Sequence, residues 1–395
     1  MKPSAELRRR EVLLAALALL GGCGGVDSGG TGTGASSTYA SGPITGFGSI
    51  IVNGVRFDES GASILDDDER LRLSDELRLG MRTEIVASAV TTVAGISSAT
   101  ASTIRLRREI LGPLEAVDAP NARLLVFGQT VGVVATTVFD NTLANGMASL
   151  LPGDVLEIYA TLDIAAGLYV ASRIERRASA EAYKLRGAVA ALTFAAQTLT
   201  LGRLTIDWSA AAPTDPDKAL APGRLLRLTL ATTPVAGVWR ATALASGEPM
   251  PDDREFAEVE GRITAFTSPT DFALDGLPVD ATDATFPDGR AGLARGAKVE
   301  VHGSLRRGVL VASRVELEDE EGGPEAFELH GSISSVDAAA SRFVVRGLTV
   351  VWSATTRFES GTPADDIKID RRVEVKGRLS ADGLLIEATS VHFEL

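Results

Sequence analysis

One skeleton recurs five times along this chain, and a repeat of that length constrains the fold before any single motif is weighed. Each copy opens on a glycine followed one residue later by an aliphatic side chain: Gly42-Pro-Ile44, Gly112-Pro-Leu114, Gly187-Ala-Val189, Gly261-Arg-Ile263 and Gly331-Ser-Ile333. The intervals are 70, 75, 74 and 70 residues. A hairpin turn comes next: Val52-Asn-Gly54-Val55, Val126-Phe-Gly128, Leu201-Gly202, Leu274-Asp-Gly276-Leu277 and Val345-Arg-Gly347-Leu348. Asn-Gly and Asp-Gly supply the positive φ angles of tight hairpins. The third anchor aligns without gaps over Gly80 to Val86, Gly153 to Tyr159, Gly223 to Thr229 and Gly296 to His302, with Asp370 to Lys376 replacing the glycine in the last copy. The fourth is Ala101-Ser-Thr-Ile104, Ala171-Ser-Arg-Ile174, Ala241-Thr-Ala-Leu244, Ala312-Ser-Arg-Val315 and Ala388-Thr-Ser-Val391.

Between these anchors the apolar residues alternate with period two, which is the signature of half-buried strands. Val299-Glu-Val301 and Val373-Glu-Val375 are examples. Each unit reads as about five short strands with a longer excursion between the third and fourth. An all-β fold follows: a tandem array of about five small OB-like five-stranded β-barrel modules, with a short sandwich as the alternative. The anchor glycine on the first strand is expected to permit the bend that barrel closure needs. The units span residues 42–108, 109–180, 183–247, 256–317 and 327–395 and are called modules 1 to 5 below.

The first copy carries a family resemblance. Gly42-Pro-Ile-Thr-Gly-Phe-Gly-Ser-Ile-Ile-Val-Asn-Gly-Val-Arg-Phe57, followed by Leu79-Gly80-Met81, resembles the opening of the bacterial DUF5666 domain, an uncharacterised module of exported proteins. The later copies keep the anchors and lose the Gly-Phe-Gly-Ser phrase. This resemblance implies a fold and brings no assigned activity.

Ahead of the repeat, residues 1–22 read as a signal peptide. A basic stretch (Lys2, Arg8, Arg9, Arg10) precedes an apolar run from Val12 to Leu20, too short to span a bilayer as a helix. Leu20-Gly21-Gly22-Cys23 resembles a bacterial lipobox, which implies acylation at Cys23, the only cysteine in the chain. Several acyl chains anchor a protein stably where one does not. Arg9-Arg10 also resembles a twin-arginine signal, so export by the general secretory or the twin-arginine route is expected. Residues 23–41, rich in Gly and Ser, read as a flexible tether. Position 24 is Gly and not Asp, which favours the outer membrane, facing the periplasm or the cell surface.

Charge and composition narrow the function classes. With 39 Lys plus Arg against 52 Asp plus Glu, the net charge is −13, and removal of residues 1–22 leaves about −15. Nucleic acid is therefore a disfavoured partner. One Cys excludes intrachain disulfides and cysteine-based zinc sites. His302, His330 and His392 fall on outward strand positions and read as solvated, with no metal, cofactor or catalytic role assigned. Asp66-Asp-Asp-Glu69 and Glu316-Leu-Glu-Asp-Glu-Glu321 lack the ligand spacing of a calcium loop and read as solvated loop or linker, with weak cation binding as the alternative. Trp208 and Trp352 occupy related positions in modules 3 and 5, where an exposed pair could stack on a ligand and a buried pair would pack.

The expectation is a non-catalytic, lipid-anchored envelope protein. It would be attached to the membrane through Cys23 and serve as a binding or spacer array for an envelope protein or glycan. The alternatives are a carbohydrate-active enzyme with a groove near Gly46-Phe-Gly48, or an OB-like binder of single-stranded nucleic acid or glycan. Protease-sensitive joints are expected at residues 248–255 and 318–326.

Overall fold

In Lys298–Arg306 the alternation of the sequence sets the alternation of burial: Val299, Val301 and Leu305 are fully buried, while Glu300 and His302 lie on the opposite face. The computed structural model describes residues 37–211, 213, 219–318, 326–380 and 383–394. The expected signal peptide, Cys23 and most of the expected tether lie outside the described residues.

Module 4 shows how each unit closes. Arg254–Ser268 pairs with Asp271–Leu274, which turns into Leu277–Asp280. That third strand runs parallel to Val309–Leu317, the fifth, which pairs with Lys298–Arg306, the fourth. The fourth strand then pairs back with the first. The order 1-2-3-5-4-1, with strands 3 and 5 parallel, recurs in modules 2 and 5. Modules 1 and 3 close the same way, although their first strands are interrupted, as Ser37–Pro43 and Gly46–Phe47, and as Tyr183–Ala188 and Ala191–Thr193. The all-β barrel expectation holds, and the closed strand order replaces the sandwich alternative.

The anchor glycine makes room for a close approach. None of the five has a left-handed φ. A side chain there would strike the hairpin of its own barrel, folded across the first strand. At Gly112 a Cβ would lie 2.6 Å from the Phe127 side chain, and at Gly261 2.5 Å from Asp275 Oδ2. The residues opposite, Asn53, Phe127, Asp275 and Arg346, are the left-handed turn residues of modules 1, 2, 4 and 5. In module 3 that turn position is Gly202, and the space over Gly187 is taken by the Tyr169 hydroxyl and Leu201. The repeat thus couples a missing side chain on one strand to a turn residue packed against it.

The barrels are fused, where a spacer array would keep them apart. Ser37–Pro43 runs parallel to Arg254–Ser268, joining module 1 to module 4, and Gly46–Phe47 runs parallel to Phe327–Asp337, joining module 1 to module 5. Ile110–Asp118 pairs with Tyr183–Ala188, joining module 2 to module 3. One apolar core contains Ile50, Phe57 and Ile104 of module 1 together with Leu329, Phe343 and Phe393 of module 5. A second is shared by modules 2 and 3, and a third belongs to module 4 with Tyr39 added. Units of about 65 residues bury too little surface to be robust alone, so shared cores are the physical answer. Two corrections follow. Residues 37–41 are strand and not tether, with Thr38, Tyr39 and Ala40 buried. The joint expected at 248–255 runs into the first strand of module 4 at Arg254.

Candidate functional site

The first and fifth strands flank the fourth, and these three strands make one outward face on every barrel, where three repeat positions dominate. They are the third residue before the anchor glycine, the polar residue of the Val-Glu-Val strand, and the fourth residue after the anchor alanine. In module 2 they hold Glu109, Glu157 and Glu175; in module 4, Glu258, Glu300 and Glu316; in module 5, Glu328, Glu374 and His392. Module 3 inverts the sign with Lys184 and Arg227, and module 1 carries Tyr39, Glu84 and Arg105.

Four of these faces are neutralised by other parts of the chain. In module 2, Arg186 pairs with Glu109 at 3.1 Å, Arg108 and Arg177 with Glu157 at 3.3 and 2.5 Å, and Arg173 with Glu175 at 2.5 Å. Burial would raise the Glu157 carboxyl, but Arg108 and Arg177 outweigh it and hold it below its ordinary value. In module 1, Glu84 meets Arg107 at 2.8 Å and Arg105 meets Glu69 at 3.3 Å. In module 3 the basic pair receives acids from the module 1 excursion: Arg227 meets Asp67 at 2.9 Å, and Lys184 pairs with Asp68. The run Asp66–Glu69, expected to be solvated, is therefore an internal clamp. Its Asp67 side chain is only 4% exposed and is also reached by Arg107 and Arg108.

Module 5 gathers Glu328, His330 and Glu374, whose donor atoms lie within 4.8 Å of one another. His330 Nε2 is 2.6 Å from Glu328, and Nδ1 is 3.0 Å from Glu394. Arg56 pairs with Glu328, and Lys376 lies 3.7 and 3.6 Å from Glu328 and Glu374. Burial alone would raise Glu328, yet the His330 hydrogen bond, Arg56 and Lys376 hold it at about 2. Burial pulls His330 down, and its bonds to Glu328 and Glu394 more than offset this, leaving it raised.

Module 4 gathers Glu258, Glu300 and His302 in the same way, again with donor atoms within 4.8 Å. His302 Nε2 lies 2.9 Å from Glu300 and 3.5 Å from Glu316, and Nδ1 lies 3.8 Å from Glu258. Arg314 reaches Glu316 at 2.5 Å from the rim. Among the described residues, no Lys or Arg pairs with Glu258 or Glu300. Burial, and then the neighbouring Glu300 carboxylate, pushes Glu258 up to about 8. His302 is raised by its hydrogen bond to Glu300 against the opposing effect of burial. This group lines a cleft of about 520 Å3 between modules 4 and 1, shared with Asn53, Val55, Val90 and the exposed Phe256.

The sequence reading placed His302 and His330 on the outward face correctly and treated outward as solvated, which is the error. Glu300-x-His302 and Glu328-x-His330 were visible as same-face pairs on a strand. Their convergence with carboxylates from neighbouring strands was not. His392 gathers differently: Ser360 Oγ at 3.4 Å and Glu359 at 3.7 Å both approach its Nδ1. A hydrolytic triad needs serine and acid on opposite ring nitrogens, so this is a surface contact.

The two tryptophans part company. Trp208 is 2% exposed in the module 2–3 core, edge-on to Phe194, where stacking on a ligand is impossible. Trp352 is half-buried against Phe343 and lines a cavity of about 560 Å3 with Ser353, Arg378 and Glu387. Cys23 lies outside the described residues, as do residues 319–321 of the second acidic run.

Comparison with known proteins places the repeat in a family. The family described as "Domain of unknown function (DUF5666)" matches residues 112–175, 260–316 and 330–392. Each match starts on a first strand and ends on a fifth, so one family unit is one barrel. The matched copies are modules 2, 4 and 5, whereas the motif resemblance was most visible in module 1. No curated protein matches the chain. With one match per barrel in three modules and the same strand order in the other two, the chain is a DUF5666 domain-containing protein with diverged repeats.

Proposed function

We propose that the protein is an exported envelope lipoprotein, held to the membrane by acyl chains on Cys23, that acts as a non-catalytic binding scaffold. The lipobox-like Leu20-Gly21-Gly22-Cys23 supports the anchor. The observation that carries the scaffold reading is the fusion of module 1 to both module 4 and module 5 through parallel strand pairs. Ser37–Pro43 follows Cys23 after only a short stretch of chain, so an anchor there would hold the whole fused body and not one bead of a string. The outward faces then become fixed surfaces for an envelope partner, mostly neutralised within the chain and acidic on module 4.

Cys23→Ala is expected to abolish lipid labelling and release the protein from membranes. Unchanged membrane retention defeats the anchor. In-cell crosslinking of the mature protein is expected to capture an envelope protein or glycan. Turnover of envelope polysaccharide that vanishes on changing one carboxylate defeats the non-catalytic reading.

A second reading has one observation in its favour. Trp352 borders an open cavity on module 5, as an aromatic platform for a sugar ring would. Glycan binding lost in Trp352→Ala and retained in Trp208→Phe supports it.

A further inference from the structure

The five faces form an internal comparison. In modules 1, 2, 3 and 5 the chain supplies opposite charges to the charged occupants of the repeat positions. In module 4 it supplies one imidazole and a rim arginine for three carboxylates. Closely packed carboxylates without a counter-charge repel one another, and such a group is relieved by taking up either a proton or a cation. The module 5 cage shows the compensated version. Glu328 and Glu374 occupy the same positions as Glu258 and Glu300, the imidazole enters from the first strand and not the fourth, and Arg56 and Lys376 lie on the carboxylates.

We propose that Glu258, Glu300, His302 and Glu316 bind a divalent first-row transition cation, of the Zn2+ or Mn2+ type, in the cleft between modules 4 and 1. The donor set selects this class. Calcium takes six or more oxygens, whereas an imidazole nitrogen among carboxylates suits zinc and its neighbours. Ligands about 2.1 Å from a metal lie no more than about 4.2 Å apart. The Glu258, Glu300 and His302 donors already fall within 4.8 Å of one another, so small side-chain rotations suffice. All the carboxylates and the ring stand on paired strands of one barrel, which fixes their backbones. The cleft leaves the cage open to solution.

The test is calorimetric titration of the metal-free, untagged full chain carrying Cys23→Ser, so that the thiol supplies no ligand, with Zn2+, Mn2+ and, as control, Ca2+. One equivalent of Zn2+ or Mn2+ is expected to bind, with Ca2+ much weaker. Loss of outer partners alone weakens metal sites by about ten- to a hundredfold, so His302→Ala and Glu300→Gln should each cost at least about tenfold in affinity. His330→Ala should leave the affinity unchanged. Thermal midpoints without metal establish that each variant is folded. The proposal is overturned by absence of saturable binding, by an affinity indifferent to His302→Ala, by Ca2+ binding as tightly, or by an arginine-rich peptide occupying the cage in undiminished amount when Zn2+ is present.

Discussion

Asp67 of module 1 meets Arg227 of module 3 at 2.9 Å, with its carboxylate withdrawn from solvent and Arg107 and Arg108 also turned towards it. This contact joins two barrels that share no strand pairing among the described residues, and it places the excursion of one on the outward face of another.

Removing the acid leaves three guanidinium groups without their common partner. Breaking a buried ion pair by deleting one member costs about 3–5 kcal/mol. Asp67→Asn is therefore expected to lower stability by that order in chemical denaturation, whereas Glu69→Gln, at an exposed pair, should cost under about 1 kcal/mol. Equal effects from the two substitutions would contradict the clamp.

The anchor glycines offer a graded steric test. Gly112→Ala drives a methyl into Phe127, which is fully buried, and overpacking of this kind costs about 1–3 kcal/mol. At Gly331 the nearest atoms, in Val345 and Arg346, are 3.2 and 3.3 Å away. Gly331→Ala should be the milder change by thermal midpoint.

Period-two alternation made the strands legible, as in Val299-Glu-Val301, because a strand's two faces are a local property. The four anchors located the barrels for the same reason. What the chain hid lies between barrels. Asp67 reads as a loop acid because Arg227 is 160 residues away. His330 reads as solvated because nothing local announces that Glu374 and Glu394, from other strands, close on its ring. Trp208 and Trp352 share a sequence context and differ in exposure: Trp208 lies within the module 2–3 core, whereas Trp352 packs on the outside of the module 1–5 core.

Acid titration tests the module 5 cage. Glu328 lies at about 2 in the folded protein against an ordinary 4.5, so its stabilising contribution is present above about 4.5 and lost as pH falls towards about 2. His330 is raised above its ordinary 6.5, so its contribution is present below that value and lost as pH rises through the folded one. The stability gap between the native sequence and Glu328→Gln should narrow on acidification from about pH 5 to about pH 2. A constant gap would show that Glu328 is not held by its cations.

Cleavage in residues 248–253 should nick the chain without separating the halves. The fragments should co-elute in gel filtration, because strand pairs on both sides of the nick join module 1 to modules 4 and 5.

Fusion of the barrels is tested most directly by calorimetric unfolding of the full chain, following the module 1–5 core and the module 4 core separately by hydrogen exchange. Strand pairs link module 1 to both, so modules 1 and 5 should lose protection together, and deleting residues 327–395 should also strip protection from Ile50, Phe57 and Ile104. Five independent transitions, or a module 1 that keeps its protection after that deletion, would contradict a single fused scaffold.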